Sequence, residues 1–230
     1  MKEKKLRAKS SAKSSTEIVY NKIKQKILTC EYKPGQLISE KEIVEEFETS
    51  RTPVREALSS LSGQGLIDII PKKGVQISQL SIKKVKEVYE LRKILEPLSI
   101  KYAIRYIKAE DIDNLNKLDK ILIDSMDNED ILTLFKAGMD YHLYIARLTH
   151  NETLFEHLRI LREESYRSLA YYLINYINGC RAEEKKKVLY MVGGSHSELT
   201  QALKENNEQA AIDALLLDLD GMSKVISMFS

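Results

Sequence analysis

Four ionisable side chains fall on helical arcs that are otherwise apolar. His142 shares its arc with Ile131, Leu134, Ile145 and Leu148, and His196 shares one with Leu199 and Leu203. Asp218 lies between Ala211, Ala214, Met222 and Val225, and Arg92 among Val85, Val88, Leu95 and Ala103. Unpaired buried charges are strongly disfavoured, so these two imidazoles, one carboxylate and one guanidinium are expected to converge and satisfy one another or a ligand. Asp140 points to the other side of its helix. His150 and His157 fall off the inward arc and read as surface or boundary residues.

A second set of chemistry-bearing residues lies in Ser50-Arg51-Thr52-Pro53-Val54-Arg55-Glu56-Ala57-Leu58, the start of a helix suited to a DNA groove. Ser50 or Thr52 is placed to cap the first amides, and Pro53 sits in the first turn, where its missing N–H breaks no intrahelical bond. Val54, Ala57, Leu58 and Leu61 form one arc; Arg51, Thr52, Arg55 and Ser59 form its neighbour. One face packs and the other reads. An arginine fork matches the O6 and N7 acceptors of guanine, so Arg51 and Arg55 are the expected base contacts.

The reading helix needs a support, and Ser39-Glu40-Lys41-Glu42 supplies one as a capping box with Ile38 and Ile43 as its hydrophobic staple. This supporting helix is expected to run to about Phe47, with a tight turn to Arg51. A first helix over Thr16 to Thr29 carries Val19, Ile23 and Ile27, and the Lys33-Pro34-Gly35 turn follows it. Beyond Gly65, the runs 66–70 and 75–77 flank Pro71-Lys72-Lys73-Gly74, a hairpin with a basic tip. The sum is a winged helix-turn-helix over 16–80, preceded by a disordered basic arm over 1–15.

From Ser81 onward helical periodicity is continuous. Helices are expected at about 81–107, 110–126, 129–149, 152–178, 182–206 and 207–228, with Gly193-Gly194 as a candidate break in the fifth. The fold class is therefore mainly α, the winged helix-turn-helix followed by an all-α bundle of about six helices over 81–230. Net charge is only +2, but residues 1–80 hold 15 Lys/Arg against 10 Asp/Glu. Cys30 and Cys180 are too few for a disulfide framework, which points to a reducing compartment. No apolar run approaches the roughly 18 residues of a membrane span. The N-terminus has no signal-peptide apolar segment, so a cytoplasmic protein without a membrane partner is expected.

Pro34-Gly35, Leu37, Ser39-Glu40, the SRTPVREAL stretch, Leu61, Gly65-Leu66-Ile67 and Lys73-Gly74 together resemble the GntR family of bacterial transcription regulators, over about residues 16–78. That resemblance implies base contacts from Arg51 and Arg55, phosphate contacts from the cap residues Ser50 and Thr52, and supporting contacts from Lys41, Lys72, Lys73 and Gly74.

The rest of the chain resembles the FCD ligand-binding domain of the FadR-like branch of that family. The matching pieces are Glu90-Leu91-Arg92 with Leu95-Glu96, His142 with Ile145, Ala146 and Asn151, and His196 with Leu199, Ala202-Leu203 and Ala210-Ala211. Many members hold a divalent metal through an Asp and three His. The resemblance carries His142 and His196 over as ligands, but Gly138 stands where the Asp would be, and Asp218 where the third His would be. Two imidazoles and one carboxylate suit zinc, manganese, nickel or iron equally. Arg92, His142 and His196 are the expected effector contacts, for a small carboxylate-bearing metabolite.

The first functional reading is thus a homodimeric, ligand-responsive regulator of a double-stranded inverted-repeat operator. A metal-dependent hydrolase built on His142, His196 and Asp218 is the second, although no general base sits at a recognisable spacing, such as the Glu of H-E-x-x-H. A third is a constitutive DNA-binding dimer without an effector.

Overall fold

The computed structural model describes residues 14–193 and 196–228. It divides into two compact units, Met1–Gln79 and Leu80–Ser230. The arm expected over 1–15 lies outside the described residues up to residue 13. Its last two residues are not arm: Ser14 caps the first helix by accepting from the Glu17 amide, and Ser15 begins it.

In the first unit, α1 (Ser15–Leu28), α2 (Glu40–Glu46) and α3 (Arg51–Gly63) pack with a small sheet of β1 (Leu37–Ile38), β2 (Ile67–Ile70) and β3 (Gly74–Ile77). The strand order is β1-β3-β2, antiparallel, with Ile38 opposite Val75 and Ile67 opposite Ile77. Sequence periodicity missed β1, since two residues are too short for any alternation. The apolar arc of α3 is buried as expected, Val54, Ala57, Leu58 and Leu61 meeting Ile23, Ile27 and Ile43. Each of the Val, Leu and Ile side chains contributes about 1.5–3 kcal/mol. The Ser39 to Glu42 capping box forms in both directions.

Gly74 closes the wing against β1. Its φ is +118°, and a Cβ there would stand 2.3 Å from the Ile38 carbonyl oxygen and 2.8 Å from Ser39 Cα. Backbone cannot yield as a flexible side chain would. Gly74→Ala is therefore expected to destabilise the first unit by about 2–3 kcal/mol, read as a lower denaturant midpoint at unchanged slope. A loss under about 0.5 kcal/mol would show that the β1–β3 contact adjusts freely.

Among the described residues, the regular structure of the second unit is helical: α4 (Ile82–Ala103), α5 (Ala109–Asp127), α6 (Ile131–Leu148), α7 (Glu152–Ile177), α8 (Ala182–Gly193), α9 (His196–Lys204) and α10 (Glu208–Met228). Side-chain caps set several starts, Ser81 for α4, Asp130 for α6 and Asn151 for α7. The fifth expected helix is two helices, α8 and α9, and α4 stops at Ala103 rather than 107. The core joins every helix through residues such as Leu115, Leu122, Leu134, Tyr141, Leu173, Leu199 and Leu219. α6 packs between α5 and α7, and α4 packs on α6, α7 and α10. That arrangement brings the inward faces of α4, α6, α7, α9 and α10 around one cavity.

Candidate functional site

One cavity opens between these helices, and Arg92, His142, Arg162, His196 and Asp218 are among its lining residues. The four ionisable residues expected to converge do so. His142 Nε2 lies 3.0 Å from His196 Nε2 and 3.3 Å from Asp218 Oδ2. Asp140 instead pairs with Lys136, and His150 and His157 are exposed.

Two residues that sequence reasoning did not place in the site complete it. Glu96, 2% exposed, accepts from Arg92 Nε at 2.6 Å through one oxygen and from Arg162 Nη2 through the other, and that second oxygen lies 3.4 Å from His142 Nδ1. Arg162 was legible in principle, because it interrupts the arc of Phe155, Leu158 and Leu169 on α7. The Arg92 guanidinium also stacks 4.2 Å from the Tyr89 ring centroid.

Burial alone would raise the Glu96 carboxyl pKa, but Arg162, Arg92 and His142 outweigh it and hold it down to about 2. Burial would likewise raise Asp218; nearby His142, His196 and Arg162 hold it below the usual carboxylate range. For His142, burial and the positive Arg162 push the pKa down to about 3, so the ring is neutral at pH 7. A neutral imidazole has one proton to offer. Yet each nitrogen of His142 faces a carboxylate oxygen, Glu96 at 3.4 Å and Asp218 at 3.3 Å.

His196 sharpens this shortage. Its Nδ1 lies 2.7 Å from the Gly193 carbonyl oxygen, which can only accept, so in the neutral ring Nε2 carries a lone pair. Tyr141 holds the start of α9 through the His196 carbonyl at 3.1 Å and Thr200 Oγ1 at 2.6 Å. If the His142 proton sits on Nδ1 toward Glu96, the lone pairs of His142 Nε2, His196 Nε2 and Asp218 Oδ2 face one another. If it sits on Nε2, a lone pair faces Glu96 instead. A cation among the three donors removes the conflict, and Glu96 and the Gly193 carbonyl then serve as the outer partners that orient each ring. The donor set fits: a four-coordinate ion bonded at about 2.0–2.1 Å separates its ligands by roughly 3.3 Å, close to the 3.0 and 3.3 Å found here. All three residues offer atoms within 4.8 Å of one another. Gly138 lines the same cavity, and a Cβ there would meet only Leu122 Cδ1, at 3.7 Å.

The residues expected to meet DNA lie in the first unit. Arg51, Thr52 and Arg55 are exposed along the N-terminal half of α3, Lys41 is exposed on α2, and Lys72 and Lys73 form the turn between β2 and β3. Ser50 holds the N-cap position, but its hydroxyl makes no cap bond. The reason is local. Pro53 occupies the third helical position and has no N–H for a capping serine to take. Lys41 has a long ion pair with Glu45, 3.5 Å, and Arg55 Nε donates to Glu40 Oε2 at 2.9 Å.

Comparison with known proteins bears on both units. The family model described as "Bacterial regulatory proteins, gntR family" matches residues 15–77, and the FCD domain model matches residues 87–221. The chain is 28% identical over 198 residues to YdhC of Bacillus subtilis (strain 168), described as an uncharacterized HTH-type transcriptional regulator, covering 84% of this chain and 82% of that one. It is 25% identical to the gluconate operon transcriptional repressor of the same organism, covering 93% and 86%. Among solved structures, E. coli McbR/YncC superposes with a TM-score of 0.78 at 19% identity, covering 94% and 98%, a likeness of fold.

Proposed function

Because the chain belongs to the GntR family of bacterial regulatory proteins, with an FCD domain after its DNA-binding domain, we propose that this transcription regulator binds a short inverted repeat as a homodimer and responds to a small organic acid. The effector sits in the bundle cavity, together with a divalent ion held by His142, His196 and Asp218. The carrying observation is the convergence of three buried donors, with His142 Nε2 3.0 Å from His196 Nε2 and 3.3 Å from Asp218 Oδ2. When bound, such an ion supplies concentrated positive charge in a site screened from water.

Arg92 supports the choice of a carboxylate. Glu96 holds its Nε, so its two terminal nitrogens remain as a fork suited to bidentate pairing. The relative named for the gluconate operon is named for a carboxylate compound. The regulator's site of action is the cytoplasm, where the DNA lies; among the described residues no helix is long and apolar enough to cross a membrane. An enzyme reading finds no support in the names of the relatives, which are regulators.

On DNA, Arg51 and Arg55 read bases, Ser50, Thr52 and Lys41 contact the backbone, and Lys72 and Lys73 contact it from the wing, where Gly74 sets the hairpin. Arg55→Ala is expected to cost about 1–3 kcal/mol on the selected operator and much less on random duplex, measured by fluorescence anisotropy. Equal losses on both duplexes would reduce Arg55 to a backbone contact. Affinity should fall steeply with salt in every case.

A further inference from the structure

Glu40 is an acid on a surface built to meet polyanionic DNA, and its position is tightly determined. It is the first residue of α2, immediately after the Ser39 cap, whose hydroxyl and amide exchange hydrogen bonds with Glu42. Beside it, Gly74 of the wing presses on Ile38 and Ser39 at distances that admit no side chain. The capping box and the wing thus fix the backbone from which the Glu40 carboxylate reaches across to α3.

There it accepts from Arg55 Nε at 2.9 Å. A guanidinium has five N–H donors, and guanine is read by a parallel pair of them. With Nε taken on one edge, the two terminal nitrogens are left as the outward fork. Arg51, by contrast, has no ion-pair partner among the described residues. The two arginines of the reading helix therefore differ: one is held from behind, the other is not.

We propose that Glu40 is a specificity-determining positioning residue, which holds the Arg55 fork in its base-reading orientation and at the same time repels phosphate where no cognate guanine compensates. The proposal rests on the reading of Arg55 as a base contact. An orienting acid reduces the side-chain freedom lost on docking, and that gain is collected only where the fork meets its acceptors. Its negative charge weakens binding to any duplex. Both effects widen the gap between cognate and random DNA, the second by negative selection against the wrong partner.

The test uses the full-length protein and duplexes recovered by in vitro selection from a random pool. Each guanine of the selected half-site is replaced in turn by 7-deazaguanine, which removes N7, and the affinity penalty is measured by anisotropy. Arg55→Ala and Arg51→Ala identify which guanine each arginine reads, through the penalty each variant abolishes, expected to be roughly tenfold in the unmodified protein. Glu40→Ala is expected to shrink the penalty at the Arg55 guanine to less than about threefold, to leave the penalty at the Arg51 guanine unchanged, and to raise affinity for random duplex. Glu40→Gln keeps an acceptor for Nε without the charge. It should restore most of the Arg55 penalty while random-duplex affinity stays high. A uniform loss on all duplexes in both variants, or an intact penalty at the Arg55 guanine in Glu40→Ala, overturns the proposal. If Arg55→Ala abolishes no penalty at all, the base-reading role of Arg55 fails first, and the proposal falls with it.

Discussion

Glu96→Ala is expected to lower the stability of the helical unit by about 3–5 kcal/mol, or roughly 6–20 °C in melting temperature. The reason is the count of charges left behind. Glu96 is the shared acceptor of Arg92 and Arg162, and all three are less than a tenth exposed. Its loss leaves two guanidiniums in a low-dielectric core without their carboxylate, and removes the oxygen facing His142 Nδ1. Glu96→Gln should also be costly, because its amide N–H₂ must face one of the two guanidiniums. DNA affinity of the surviving folded protein serves as the control, since the reading helix belongs to the other unit. A change below about 1 kcal/mol for both variants would mean that water already solvates the arginines.

The second large effect concerns the ion. A ligand present at about a thousand times its dissociation constant stabilises the folded state by about 4 kcal/mol, which for a chain of this size is roughly 8–16 °C. Chelation should remove that increment, and readdition of zinc, manganese, nickel or iron should restore it. His142→Ala and Asp218→Ala should abolish the response, each by deleting a donor. Asp140→Ala should retain it, since Asp140 pairs with Lys136 on the other side of α6. A chelator response that survives in His142→Ala would place the ion elsewhere in the chain.

Much of this was legible in the sequence because strong local rules coincide there. Ser39 to Glu42 forms the predicted capping box, the α3 arc is buried as its spacing requires, and the four ionisable residues on apolar arcs meet in one cavity. What was not legible depends on contacts between distant elements. Glu96 lies on the same helix as Arg92, but that it also binds Arg162 across the core depends on how α4 meets α7. β1 exists only because β3 pairs with it. The missing Ser50 cap bond follows from Pro53 at the third helical position, a rule within reach of the sequence had the position been counted. The end of α8 was legible, since it falls at Gly193 of the Gly193-Gly194 pair expected to interrupt that helix; the sequence did not show the packing there, where a Cβ on Gly193 would stand 2.0 Å from Met126 Sδ of α5.

The lone-pair conflict at His142, His196 and Asp218 makes a specific demand that can be measured directly. Protein purified without an affinity tag should contain close to one divalent ion per chain by elemental analysis, and the stripped protein should take one back in a calorimetric titration with a dissociation constant well below about 10 μM, roughly −7 kcal/mol. The same titration of His142→Ala should show no heat above dilution. If neither zinc, manganese, nickel nor iron binds the stripped protein more tightly than about 10 μM, the cavity is a metal-free anion site held by Arg92 and the two histidines, and the metal-assisted account of effector binding is wrong.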